Sequence, residues 1–204
     1  MELETQTFLR LHSNHQQQVA GMLARAFFND PLIIYYLPDP VRREQVLPYL
    51  MLVSLRYALY YGEVDTPAER IGAACWLQPG HTDLNLCGLI RSAIGVIPPN
   101  LGLEALRRIN QIEPAIDRVH RACMPGPHWY LMLLAIEPSF QGQGIGGHLI
   151  ERKLAEARQN GLPCYLETMT EKDVAFYRKH GFEVVFETEI HSGGLHVWMM
   201  STKL

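Results

Sequence analysis

The sequence predicts an α/β (α+β) protein with a mixed central β-sheet flanked by helices. Two patterns lead to this fold class. Between Trp129 and Gly181 the chain reads strand, helix, strand, helix, the order that places neighbouring strands in parallel. Two strand-like runs follow, Glu183 to Glu189 and Leu195 to Met200, and we expect them to form an antiparallel hairpin around Ser192-Gly193-Gly194. A sheet with both kinds of pairing is mixed.

Two helices are predicted before the first strand. Apolar residues recur at helical spacing from about Gln16 to Phe28, and Asn29-Asp30-Pro31 ends this helix because proline restricts the residue before it. A second helix is expected from Arg42 to Tyr61, and Gly62 ends it.

A strand and a helical insertion come next. We predict a turn at Asp65 to Glu69 and an apolar strand at Ile71 to Leu77. Leu84 to Arg121 is predicted to hold one short and one longer helix, separated at Gly95 and Pro98-Pro99, because proline has no amide donor for a continuing helix. This helical insertion precedes the core strand.

The core unit begins with Trp129 to Ile136, a wholly apolar run typical of a buried strand. Its continuation is predicted as a loop, a helix, a strand and a second helix: Glu137 to Gln143, Ile145 to Ala157, Pro163 to Glu167, and Thr170 to His180. Thr170 and Asp173 have the spacing of a capping box at the start of the last helix, and Gly181 ends that helix.

Charge and hydropathy argue against nucleic-acid and membrane partners. Eighteen Lys and Arg stand against 21 Asp and Glu, which gives a net charge of -3 and no basic field for phosphates. The longest wholly apolar stretch, Trp129 to Ile136, is far shorter than the roughly 18 residues that a membrane span requires.

Cysteine spacing and the first residues of the chain indicate a reduced, cytoplasmic protein. The four cysteines match neither a paired zinc motif nor a dense secreted disulfide framework: Cys75, Cys87, Cys123 and Cys164. The segment Met1 to Arg10 carries two glutamates and no apolar run typical of a signal peptide. The nine histidines are scattered, so we expect no metal site.

The most informative segment is the glycine-rich run Gln141 to Gly147, between the apolar strand and the next helix. Glycine lets the backbone approach a ligand closely, and the first amides of a helix have no partner within the helix. Together with the helix dipole, they favour a bound pyrophosphate. A tight turn with close helix-to-strand packing is the alternative interpretation.

A dinucleotide site is a further alternative for the same segment. Gly142, Gly144 and Gly147 satisfy G-x-G-x-x-G, and Glu167 follows Gly147 by 20 residues at the end of the next strand. Only 37 residues follow Glu167, too few for the remaining parallel strands of such a fold. A nucleotide-dependent oxidoreductase therefore ranks last, and a P-loop is excluded because no Gly-Lys-Ser or Gly-Lys-Thr follows.

The pattern Gln141-x-x-Gly144-x-Gly146, after a strand ending Ala135-Ile136-Glu137-Pro138, resembles the acetyl-CoA signature of the GNAT N-acetyltransferase superfamily. Leu166-Glu167-Thr168, Phe176-Tyr177 and Gly181-Phe182 fall where that family has its fifth strand and the following helix. Within the superfamily the pattern is most similar to puromycin N-acetyltransferase and its relatives. The resemblance implies one N-acetyltransferase domain over 1–204, with an acetyl-CoA-binding core at about 129–200 and a helical insertion at about 84–121.

The resemblance implies an enzyme that transfers the acetyl group of acetyl-CoA directly to an amine of a small-molecule acceptor, in a ternary complex and without a metal. The cofactor-binding residues that it implies lie on the core strand and the glycine loop: Leu134, Ala135, Ile136, Gln141, Gly142, Gln143, Gly144, Ile145 and Gly146. A strand amide near Leu134 is expected to stabilise the negative charge that develops on the thioester oxygen.

Two side chains are predicted to move protons. The resemblance places Tyr177 beside the thioester sulfur, as the donor to the leaving thiolate. An alkyl amine has a pKa near 10.4 and must lose a proton before it attacks, so a base is required. Glu167 is the leading candidate, while His196, His128 and Glu137 remain possible.

One residue departs from the family pattern. Many members have asparagine six residues before the tyrosine, to hold the cofactor arm, and this chain has Glu171 there. We therefore do not count Glu171 among the cofactor ligands. A non-catalytic acyl-CoA-binding sensor or interaction module is the alternative function, and a monomer and a homodimer are equally compatible with the sequence.

The acceptor pocket is expected to come from the N-terminal helices and the C-terminal hairpin. Aromatic residues crowd the first 61 positions: Phe27, Phe28, Tyr35, Tyr36, Tyr57, Tyr60 and Tyr61. Helical spacing makes most of them core residues. A minority is expected to line the acceptor site, where Asp30 is positioned to attract a cation.

Overall fold

The structure is a computed structural model that describes residues 8–96, 101–190 and 194–203. The strands are β1 (Phe8–Arg10), β2 (Gly62–Pro67), β3 (Gly72–Leu77), β4 (Trp129–Ile136), β5 (Cys164–Thr168), β6 (Phe182–Ile190) and β7 (Leu195–Thr202). The helices are α1 (Gln16–Ala26), α2 (Pro31–Tyr36), α3 (Pro40–Tyr61), α4 (Leu86–Ala93), α5 (Gly102–Cys123), α6 (Ile145–Gln159) and α7 (Glu171–Lys179). Short 3-10 turns lie at Ser13–His15 and Pro138–Phe140.

Seven strands form one sheet in the order β1-β2-β3-β4-β5-β7-β6. The β4–β5 pair is parallel, and the other described pairs are antiparallel. The predicted mixed sheet flanked by helices is therefore confirmed. The terminal hairpin is confirmed too, with β7 between β5 and β6.

Three local expectations need correction. Strand β1 was not predicted; it has three residues and pairs with β2 at the edge of the sheet. Asp65 was expected in a turn but lies in β2, where it is buried and Arg152 Nη2 reaches its Oδ1 at 2.6 Å. Pro31 was expected only to end a helix, yet it is the first residue of α2. The Asp30 carboxylate accepts from the amides of Leu32 and Ile33 at 2.9 and 3.2 Å and so begins that helix.

The helical insertion has the predicted two helices, α4 and α5, although Pro98-Pro99 lies outside the described residues. Ser192-Gly193 of the expected hairpin turn is also outside them. At the start of α7 the Thr170 hydroxyl accepts from the Asp173 amide at 3.2 Å, as the predicted cap requires. No described helix combines the length and the apolar character needed to cross a bilayer.

The sheet separates two apolar layers. One layer packs β-strand side chains against α1, α3 and α5, around residues such as Leu47 and Ile112. The other packs them against α6 and α7, around Leu149. Strand β4 serves both, because alternate side chains of a strand point to opposite faces: Ala135 belongs to the first layer and Ile136 to the second.

A bulge and a parting of strands shape the middle of the sheet. Cys75 and Trp76 of β3 lie opposite Leu133 and Leu131 of β4, so Met132 is an extra residue on β4. Beside it, β4 pairs with β5 at Trp129 and Tyr130 and at no later residue of the strand. The two strands diverge beyond Tyr130, and this divergence leaves an opening in the sheet.

Candidate active site

Beyond its pairing with β5, β4 turns backbone groups toward the gap between the two strands. The Glu137 amide donates to Ile71 O at 2.7 Å, on the β3 side. Because strand residues alternate, the amides and carbonyls of Ile136 and Leu134 point away from β3, into the gap. The backbone amide and carbonyl of Ala135 point toward Ala73 of β3. They therefore do not face the gap, where a cofactor contact was predicted.

A side chain within the glycine loop, that of Gln141, holds the loop against the end of β4. Gln141 Nε2 donates to Ile136 O at 3.0 Å, which ties the loop to the end of β4. The loop then passes through two left-handed residues, Gly142 at φ +77° and Gly144 at φ +82°, before α6 begins. A β-carbon at Gly142 would meet no other atom within 4 Å, so the left-handed backbone is the reason for glycine there.

The N-terminus of α6 is suited to an anion. No side chain caps it, and its first turn contains no acidic residue. Its first amides lack partners within the helix and lie at the positive end of the helix dipole. Ile145 itself is buried and anchors the first turn in the core. This geometry fits the pyrophosphate of a coenzyme.

The third glycine of the dinucleotide pattern has a packing role. A β-carbon on Gly147 would lie 2.6 Å from the His180 ring, so glycine lets α6 approach the end of α7 closely. The sheet order, with antiparallel neighbours on both sides of the β4–β5 pair, also differs from the parallel doubly wound sheet of dinucleotide-binding folds. The oxidoreductase alternative is therefore wrong.

Tyr177 lies on the α6–α7 face of the sheet. It is 9% exposed and packs in one layer with Ile145 and Phe182, against which Leu134 of the open strand also packs. Burial, and then the charge of Asp173, raises the pKa of the Tyr177 phenol. The hydroxyl therefore keeps its proton at neutral pH, and it makes no hydrogen bond to another described residue.

Glu167 lies on the opposite face of the sheet. Its carboxylate faces α5, where Oε1 is 3.7 Å from His120 Nδ1, and the side chain is 7% exposed. Burial raises the pKa of Glu167 to about 7, although the nearby Tyr130 and Tyr165 hydroxyls lower it and the charge of Glu113 raises it further. A carboxyl with this pKa is suited to general-base chemistry near neutral pH.

Two buried polar atoms near the gap have no hydrogen-bond partner among the described residues. They are Oε1 of Glu167 and the hydroxyl oxygen of Tyr165. An unpaired buried oxygen is costly, so such atoms commonly mark the place where a ligand donates. Both belong to β5, at the point where it leaves β4.

The face that carries Glu167 also carries a second, partly buried carboxyl that sequence reasoning missed. Tyr36 donates its hydroxyl hydrogen to Glu113 Oε1 at 2.5 Å, and burial raises the pKa of Glu113. Glu113 and His120 are seven residues apart on α5, which places them on one side of the helix. That periodicity was the available signal, but the sequence did not show that this side faces Glu167.

The other predicted bases are placed differently. Arg25 holds the Glu137 carboxylate at 3.0 and 2.6 Å, and this pairing lowers the pKa of Glu137. His196 lies on the terminal hairpin, 3.4 Å from Glu187 Oε2. His128 is buried and contacts His120 rather than the gap.

The predicted acceptor aromatics divide into two groups. Tyr57 is buried on α3, where its hydroxyl donates to Asp83 O at 3.1 Å, and Tyr60 lies under Arg91. Tyr35 and Tyr36 instead lie beside α5. Tyr36 contacts Glu113 and Tyr35 contacts Gln111, so these two residues are the aromatic part of the candidate acceptor side.

Comparison with known proteins agrees with this geometry. Residues 111–184 match the acetyltransferase (GNAT) domain family. An uncharacterized N-acetyltransferase of Schizosaccharomyces pombe is 26% identical over 190 residues, covering 89% of this chain and 75% of that protein. The family match at residues 111–184 runs from within α5 to the start of β6, and this segment contains the gap and the glycine loop.

Solved structures share the whole fold. A structure described as histone acetyltransferase HPA2 and related acetyltransferase from Corynebacterium glutamicum has a TM-score of 0.70 and 22% identity, covering 98% of this chain and 96% of that one. The Drosophila melanogaster polyamine N-acetyltransferase has a TM-score of 0.65 and 14% identity, covering 97% and 99%. The mixed α/β fold with its seven-stranded sheet is that of GNAT acyl-CoA N-acyltransferases.

Proposed function

We propose that this protein is an acetyl-CoA-dependent N-acetyltransferase that transfers acetyl directly to an amine of a small-molecule acceptor in a ternary complex. The observation that carries the proposal is the gap between β4 and β5. It connects Glu167 on one face of the sheet with Tyr177 and the glycine loop on the other. Two substrates that enter from opposite faces meet at this gap.

The chain offers a fitting set of groups for acetyl-CoA, which supplies the acetyl group as an activated thioester. The amides of Gly142 to Gly146 and the uncapped start of α6 would hold its pyrophosphate. The outward backbone of Leu134 would pair with the extended arm, as an added strand does. The Leu134 amide would also donate to the carbonyl oxygen where charge develops, worth roughly 3 kcal/mol for one such donor.

Glu167 and Tyr177 are the two side chains that transfer protons in this proposal. The Glu167 carboxylate accepts a proton from the attacking amine, because a pKa near 7 leaves about half of it ionised in neutral solution while keeping it basic. Tyr177, whose raised pKa keeps its hydroxyl protonated, donates to the departing sulfur. Each residue thus acts on its own side of the gap.

The acceptor side favours a cationic amine. Carboxylates of Glu113 and Glu167 lie on this face, and Asp30 is near enough to Tyr36 to affect its pKa. We infer an acceptor with two nitrogen-containing groups. Glu113 binds the second, cationic group, and Glu167 contacts the amine that reacts. The Drosophila relative in fold catalyses the formation of N-acetylagmatine, which supports this class without fixing the compound. The similarity to puromycin N-acetyltransferase stays a prediction.

The test combines acetyl-CoA binding with an amine panel. Calorimetric titration is expected to show acetyl-CoA binding and a raised melting temperature, and free thiol release is expected with diamines or guanidino-amines. Binding without turnover on a broad panel would favour the non-catalytic sensor. Absence of binding at millimolar acetyl-CoA would overturn the proposal. A cytoplasmic location and a monomeric or homodimeric state belong to the proposal, and cell fractionation and light scattering test them.

A further inference from the structure

Two histidines meet on the Glu167 side of the sheet. His120 of α5 and His128, just before β4, are 3% and 4% exposed, and their Nε2 atoms lie 2.8 Å apart. The other nitrogen of His128, Nδ1, lies 2.7 Å from Gly126 O. The other nitrogen of His120, Nδ1, lies 3.7 Å from Glu167 Oε1. The three contacts form one line of four residues from Gly126 to Glu167.

The proton positions along this line are determined from its outer end. A carbonyl oxygen only accepts, so His128 carries its hydrogen on Nδ1, and neutral His128 then has a bare Nε2. The short contact between the two rings needs one hydrogen, which His120 must supply from its own Nε2. Burial lowers the pKa of both rings, with that of His120 at about 3, so both are neutral. Neutral His120 has one ring hydrogen, and its Nδ1 is therefore bare.

We propose that His128 and Gly126 hold His120 in the tautomer that turns the bare Nδ1 lone pair toward the Glu167 carboxyl. At 3.7 Å from Oε1 this lone pair is beyond hydrogen-bond distance, but it attracts the proton of the carboxylic acid and repels the carboxylate. His120 and His128 are thus positioning residues, which act through Glu167 and strengthen it as a base. The catalytic consequence rests on the proposed function, whereas the tautomer does not.

Other groups also face Glu167 and act beside the histidines. Strand β4 contributes Tyr130, strand β5 contributes Tyr165, and helix α5 contributes Glu113 and Cys123. The Tyr165 ring stacks on His120 at 4.2 Å and 15°, which fixes the plane of the imidazole. Arg121 affects the pKa of His120, and Asp83 that of His128. These groups are unchanged in the variants below.

The first test uses the unmodified protein. Nitrogen-15 NMR distinguishes a bare ring nitrogen from a protonated one, and loss of signals in single variants assigns the two rings. We expect His120 to carry hydrogen on Nε2 and to be bare at Nδ1 throughout the range where it is neutral. A hydrogen on Nδ1 of neutral His120 would overturn the proposal.

The second test compares His128→Gln with His128→Leu. Both variants lose the contact with Gly126, but the glutamine carbonyl oxygen replaces the Nε2 acceptor and leucine offers none. In the leucine variant an Nε2 hydrogen would be a buried unsatisfied donor, so His120 should move its hydrogen to Nδ1 and donate to Glu167. We expect the pKa of Glu167, followed by its side-chain carboxyl carbon signal, to fall by about one unit, the worth of one net hydrogen bond.

The glutamine variant is expected to keep both the tautomer and the wild-type pKa of Glu167. In an active enzyme, the acidic limb of the pH profile of kcat/KM should move with the NMR pKa in the leucine variant alone. Equal shifts in both variants, or none in either, would contradict the proposal. Lack of turnover with every amine would count against the proposed function and leave the NMR result to decide this inference.

Discussion

Glu167 and Tyr177 lie on opposite faces of the same sheet, and the gap between β4 and β5 is the passage between them. Glu167 points toward α5, and Tyr177 packs with α6 and Phe182. In the proposed mechanism a base and an acid separated in this way act on different substrates, one on the incoming amine and the other on the departing sulfur. Substitutions at the two positions should therefore produce different kinetic signatures.

Glu167→Gln is expected to lower kcat/KM by roughly a hundredfold or more, since the amide accepts no proton. In the wild type, kcat/KM should fall as the pH drops through about 7, because protonation of Glu167 removes the base. A pH profile with a saturating acetyl donor measures both effects. Glu137→Gln is the control, because Arg25 already holds that carboxylate in an ion pair. Equal losses in both variants would exclude Glu167 as the base.

The same substitution should stabilise the fold in alkaline solution. The pKa of Glu167 rises from 4.5 to about 7 on folding, so its contribution to stability is present below pH 4.5 and is lost as the pH rises through 7. Glu167→Gln should then raise the free energy of unfolding at pH 8 by up to roughly 3 kcal/mol. Denaturant titrations at pH 8 and pH 4 measure the difference, and a gain of equal size at both pH values would contradict this origin.

The sequence predicts only those parts of the site that are formed by residues close together in the chain. The predicted boundaries of β4 and the start of α6 agree with the structure, because an apolar run and a glycine loop are signals within a few residues. The pairing of Glu167 with His120 was not predicted. It joins residues 47 positions apart, and a histidine on an amphipathic helix looks the same whether it faces the core or a site.

Tyr177→Phe tests the opposite side of the gap. Loss of the hydroxyl should lower kcat by roughly a hundredfold, while acetyl-CoA binding changes little, because the ring and its packing against Phe182 remain. Stopped-flow kinetics and calorimetric titration separate the two quantities. Tyr60→Phe on α3, whose exposed ring lies under Arg91, is the matched control and should leave both unchanged. An unchanged kcat in Tyr177→Phe would remove Tyr177 from the mechanism.

Alanine variants of two glycines at opposite ends of α6 distinguish an effect of backbone strain on stability from an effect on acetyl-CoA binding. Gly144 has φ +82° and Gly161 has φ +64°, and a β-carbon would meet little at either position. Each alanine variant should lose about 1–2 kcal/mol of stability from the left-handed backbone. Gly144→Ala should also weaken acetyl-CoA binding by about tenfold, because relaxation of the strain moves the amides that we propose to bind the pyrophosphate. Gly161→Ala should bind normally, and equally weakened binding in both variants would show that the loop amides have no special role.

The acceptor side illustrates why a fold prediction does not give a substrate. The sequence drew attention to the aromatic residues of the first helices, and only the structure shows Tyr36 hydrogen-bonded to Glu113. Asp30, which was expected to attract a cation, uses one carboxylate oxygen to cap α2. A site formed by a loop, a helix and a strand that are distant in sequence has no local pattern to recognise.

Glu113→Gln should discriminate between amines by charge. If Glu113 binds a second cationic group of the acceptor, the neutral amide of the glutamine variant should bind it more weakly. KM for a diamine should then rise roughly tenfold to a hundredfold, the worth of one charge-assisted hydrogen bond. A monoamine of the same length should be affected far less, because it places no charge near Tyr36 and Glu113. Initial rates with the two amines, at fixed acetyl-CoA, give the two KM ratios. Equal increases for both amines would mean that Glu113 supports the fold of α5 and does not select the acceptor.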